Sequence, residues 1–66
     1  MKIKENVLIA YYYMGVELSR DEKPFPNWFE FYEEKMACLK GYNDATLNTV
    51  KTTDGEIIQE IFGNIK

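Results

Sequence analysis

Sixty-six residues form one small domain, in which roughly 60% of the unfolded surface is buried and stability is marginal unless a partner or a second copy helps. With 45% hydrophobic residues, ten aromatic side chains and a net charge of -3, the chain is not a disordered acidic tail. A pI near 4.8 argues against binding phosphate backbones, which needs a basic face. The absence of histidine removes the commonest general base and metal ligand, and a single cysteine excludes an internal disulfide.

Residues 3–14 read as a helix, with Ile3, Val7, Ala10, Tyr11 and Met14 in one sector and Gly15-Val16 as its stop. A strand is the alternative, since Val, Ile and Tyr are β formers, but the run from Val7 to Met14 does not alternate. Either way both faces are apolar. A partner-binding surface carried by Tyr12 and Tyr13 is therefore weighed against an ordinary core sandwiched between two helices. The same run is too short for a signal peptide or a membrane span, so a cytoplasmic protein without a membrane partner is expected.

Residues 16–25 form a polar connector, and Pro24, Phe25 and Pro26 favour an extended entry to the next helix. The stretch 26–41, PNWFEFYEEKMACLKG, has the signature of a central helix over 27–40. Asn27 would cap it, Glu30 would return the bond, Pro26 and Phe31 would staple it, and Gly41 would end it. Trp28, Tyr32, Lys35, Met36 and Leu39 share one side, with Glu30, Glu33 and Glu34 opposite. Cys38 reads as a small buried hydrophobe.

From residue 42 the chain turns polar. Asp44 is expected to cap a short turn near 45–50 carrying Leu47 and Val50, with a strand as the alternative. The tetrad Thr53-Asp54-Gly55-Glu56 could start a helix or close a hairpin. The spacing of Ile57, Ile58, Ile61, Phe62 and Ile65 favours a helix over 54–62, stopped by Gly63-Asn64. The expectation is one all-α domain over 1–66 with about three short helices. The alternative is an α+β unit, with the central helix packed on a small antiparallel sheet formed by the first segment and a 46–62 hairpin.

No catalytic, cofactor-binding or metal-binding residue is expected. The four glycines are isolated, no EF-hand or Glu-x-x-His spacing occurs, and the paired glutamates read as a solvated face. Residues 17–34 carry six acids and two bases, net -4, while the rest of the chain is near neutral. That surface reads either as a solubilising face or as one that meets a basic groove on a protein partner. The partner-binding residues are then Tyr12, Tyr13, Glu22, Glu30, Glu33 and Glu34. The leading expectation is a small acidic, non-enzymatic protein-interaction module. The preference for lysine over arginine and the abundance of Ile, Asn, Tyr and Phe suggest AT-rich coding, which fits a phage or mobile-element protein that inhibits a host defence or nucleic-acid enzyme. The alternatives are a self-associating structural or assembly protein and a DNA-binding regulator. The last is disfavoured, because its reading helix would offer DNA Glu56 and Glu60.

Overall fold

The computed structural model describes residues 4–63. It contains three helices, α1 (Glu5–Arg20), α2 (Tyr32–Thr46) and α3 (Asp54–Phe62), and no strand among the described residues. The all-α expectation holds and the sheet alternative falls away. The boundaries differ from those expected in the first two helices, and each difference has an identifiable cause.

α1 does not stop at Gly15 but runs on to Arg20, through the expected connector. It ends instead at Glu22, whose φ of 56° lies in the left-handed region, with Lys23 N–H donating to Leu18 C=O at 3.0 Å. Gly15 is buried at a helix crossing, where a Cβ would collide with the Cys38 carbonyl oxygen. Gly41, expected to end the central helix, has the reciprocal role: its Cβ would collide with the Tyr12 carbonyl oxygen. Both glycines are chosen for close backbone approach, which outweighs their poor helix propensity.

Contacts between α1 and α2 advance together along both helices: Tyr11 beside Glu34, Gly15 against Cys38 and Tyr42, then Ser19 Oγ 2.8 Å from Thr46 Oγ1. The two helices therefore run in the same direction. A short turn cannot make that connection. Residues 21–31 supply it as an extended strap that returns along the pair.

This strap explains why the central helix begins at Tyr32 and not at residue 27. Phe29 packs on Tyr11 (ring centroids 5.8 Å), Phe25 on Phe29 (5.8 Å) and on Tyr42 (5.7 Å), and Trp28 on Phe29 (4.8 Å). Each such ring pair contributes about 0.5–1.5 kcal/mol beyond area burial, whereas an Asn27 cap would contribute about 1 kcal/mol. The tertiary contacts win. α2 still keeps half of a capping box, moved to Phe31, whose N–H donates to Glu34 Oε1 at 3.2 Å.

The buried face of α2 is not the expected row of Trp28, Tyr32, Met36 and Leu39. It is Ala37, Cys38, Gly41 and Asp44, with Ala45 partly buried beside it. Small residues let the backbones approach, so they take the interface, while Tyr32 is 61% exposed. The short turn near 45–50 is absorbed into the end of α2, which terminates at Asn48 (φ 58°) and leaves Leu47 exposed. α3 appears as expected. Thr53 Oγ1 accepts from Glu56 N–H and donates to Glu56 Oε1 at 2.7 Å, while Ile57 and Ile61 enter the core with Leu8, Tyr12, Val16 and Ala37. Lys40 and Glu60 tie α2 to α3 at 2.9 Å. Ile65 and Asn64 lie outside the described residues.

Candidate functional site: an aromatic strap with an acidic margin

Tyr12, expected at a partner surface, is fully buried. Its hydroxyl donates to Asp44 Oδ2 at 2.6 Å and accepts from Lys51 N–H at 2.9 Å, so one side chain joins α1, the last turn of α2 and the 47–53 connector. A buried carboxylate needs donors, and a buried phenol needs a partner for its hydroxyl. The arrangement satisfies both, and Tyr12 and Asp44 are structural. Burial first, then the bond to Asp44, pushes the Tyr12 phenol well above its usual range. Cys38 is fully buried as expected, and burial pushes its thiol up to about 11, away from nucleophilic use at neutral pH.

Tyr13 is different. It is 41% exposed, with its ring set edge-on to Tyr12 at 5.8 Å. It lies on the far side of α1 from the buried residues Leu8 and Gly15.

The acidic residues divide in the same way. Glu30 is exposed, while Glu33 and Glu34 are half-buried in the first turn of α2, where the positive end of the helix dipole favours them. Glu34 holds the Phe31 N–H and also faces Tyr11. Burial, followed by the charge of Glu34 and, more weakly, that of Glu30, raises the Tyr11 phenol. Glu22 is exposed at the opposite end of the strap. There an acid is doubly unfavourable: the C-terminus of α1 is the negative end of its dipole, and a residue with a Cβ in the left-handed region costs about 1–2 kcal/mol.

The residue whose setting the sequence hid is Trp28. Helical spacing puts it on a buried face, yet it is 63% exposed and stacked on Phe29 with a 30° tilt. Phe29 is itself held by Tyr11 and Phe25, and Phe25 by Tyr42. The indole is thus presented to solvent on a fixed platform, close in sequence to Glu30 and to the exposed Tyr32. Only the three-dimensional course of the strap reveals it, since the apolar pairs Phe25-Pro26 and Trp28-Phe29 around Asn27 resemble a helix entry as readily as an extended segment.

Among the described residues no group of three or more Cys, Asp or Glu side chains is placed to hold a metal ion, and no helix is long and apolar enough to cross a membrane. No protein family, curated protein or solved structure matches the chain. Function is therefore read from the chain's own residues.

Proposed function

We infer that this protein is a non-enzymatic interaction module that docks, through Trp28 and Tyr32 with Glu30, Glu33 and Glu22 at the margin, onto a basic surface of another protein. The observation that carries the reading is Trp28, exposed yet stacked on Phe29. A tryptophan already stacked on a neighbouring ring has less rotamer freedom to lose on binding, and tryptophan and tyrosine dominate the energetics of protein interfaces. Its ring face also suits an arginine or lysine, an interaction worth about 0.5–2 kcal/mol.

Charge supports the same choice of partner. The strap and its flanks hold the net -4 of residues 17–34, which would steer a basic groove towards the indole. Glu22 stands where local physics prefers glycine or a cation, an indication that the acid serves something other than stability. A phage or mobile-element inhibitor of a host defence or nucleic-acid enzyme is the biological setting that fits: such an enzyme has a basic groove, and a small acidic protein can occupy it. The other sequence-derived reading, self-association, concerns a different surface, the Tyr13 side of α1.

The test uses the full chain as bait in a low-GC bacterial lysate, beside Trp28→Ala, the double variant Glu30→Lys/Glu33→Lys, and Glu22→Gly. Glu34 is left intact because it caps α2. Partner capture should fall at least tenfold for the first two variants, with the thermal midpoint little changed for Trp28→Ala and lowered by a few degrees for the double variant, which puts a lysine at the positive end of the α2 dipole. Glu22→Gly should weaken capture while raising stability by about 1 kcal/mol, since it relieves the left-handed backbone. Undiminished capture by Trp28→Ala would remove the proposed surface.

A further inference from the structure

None of residues 21–31 is buried, and none belongs to the core cluster of Leu8, Tyr12, Val16, Ala37, Ile57 and Ile61 or to the partly buried side chains packed on it. From Pro24 to Glu30 the chain makes no hydrogen bond to another described residue. Two ring contacts hold this segment to the helices, Phe25 on Tyr42 and Phe29 on Tyr11. A segment attached so sparsely has the features of a unit that opens while the core stays folded.

The face it covers is set by α2. Glu34, Cys38 and Tyr42 stand four residues apart and so share one side of that helix. The strap touches both ends of this row: Phe31 N–H donates to Glu34 Oε1, and Phe25 packs on Tyr42. Cys38 lies between them, fully buried although it is outside the core cluster. The α1 residue that crosses there is Gly15, which has no side chain to cover a thiol.

We propose that residues 24–30 are a lid over Cys38, hinged at Glu22 and Phe31, which opens as a unit while the three helices stay packed. Its ends are well marked. On one side Glu22 N–H and Lys23 N–H are tied back to α1, and on the other Phe31 N–H is tied to α2. Opening between those points breaks no backbone hydrogen bond and uncovers Cys38 with the outer faces of Tyr11 and Tyr42. Trp28 and Glu30 lie within the lid, whereas Glu33 lies on α2, so they form one surface only when the lid is shut. A partner bound across that surface therefore favours the closed state. This regulation rests on the proposed docking function; the lid itself does not, and its test uses no partner.

The test is labelling of Cys38 in the native protein with an excess of the aromatic disulfide dithiobisnitrobenzoate. The Cys38 thiolate attacks one sulfur of the reagent, forms a mixed disulfide with it and expels a coloured thionitrobenzoate anion. In water, labelling should be roughly tenfold or more faster than global unfolding allows, with a urea dependence well below the global slope, because the lid exposes little surface. Phe25→Ala and Phe29→Ala, which each remove one of the two ring contacts with the helices, should accelerate it a further several-fold. Tyr12→Phe, a change in the core, should lower the urea midpoint and leave labelling in water unchanged. Labelling that follows the global urea slope all the way to water, or that Tyr12→Phe accelerates as much as Phe29→Ala does, would overturn the proposal. The urea dependence needs only the unaltered chain, so it decides the matter even if a phenylalanine variant does not fold.

Discussion

At the scale of single residues, Tyr12 is the side chain on which most depends. Its hydroxyl is shared between a buried carboxylate and a backbone N–H, so Tyr12→Phe leaves both Asp44 and Lys51 N–H without that partner. Removing one member of a buried pair costs the desolvation of what remains, about 1–3 kcal/mol. Urea denaturation should show a loss of that size with unchanged helical content, and a loss below about 0.5 kcal/mol would mean that water replaces the phenol. The alkaline limb of stability has its origin in the same burial. The Tyr11, Tyr12 and Cys38 groups all have folded values raised above their ordinary ones, so the fold favours their neutral forms. Their contribution is complete below the unfolded values, and it is lost as pH rises. The decline should start near pH 9, where an unfolded Cys38 ionises, and steepen above 10, where the tyrosines do. Denaturation midpoints measured from pH 7 to 11 check this, and Cys38→Ala should flatten the first part of the fall. Of these residues, Cys38 was legible in the sequence because a lone cysteine among apolar neighbours is commonly buried. Tyr12 was not, because its partners are 32 and 39 positions away.

At the scale of elements, the helices differ in how much of their boundary is local. α3 was readable because its start is set by Thr53 and Glu56, three residues apart, and its buried face by Ile57 and Ile61, four apart. Local signals misplace α2 at both ends, since the aromatic strap overrides a good cap and Gly41 serves a crossing rather than a stop. Gly41→Ala should lower stability by about 1–3 kcal/mol or more, because the added Cβ meets backbone and not a movable side chain. Gly55→Ala, in α3 with nothing within 4 Å of the added Cβ, should raise it by about 0.5–1 kcal/mol. Opposite signs for the same chemical change would separate packing from helix propensity. A neutral Gly41→Ala would show that the helices can slide apart.

At the scale of the whole molecule, the sequence by itself determined a small acidic chain with an apolar excess, a concentration of negative charge over residues 17–34 and helical spacings that favoured an all-α fold over a small sheet. Those properties depend on composition and on spacings of three to four residues, which act before the chain meets itself. Only the tertiary structure decided that α1 and α2 run in the same direction, that Gly15 and Gly41 mark their crossing, and that Tyr12 and Tyr13, adjacent in sequence, separate into core and surface. It also decided that Trp28 is presented on rings rather than buried beneath them. Each of these outcomes pits a local preference of about 1 kcal/mol against several distant contacts of similar size, and the sum is settled by which residues the folded backbone brings within reach.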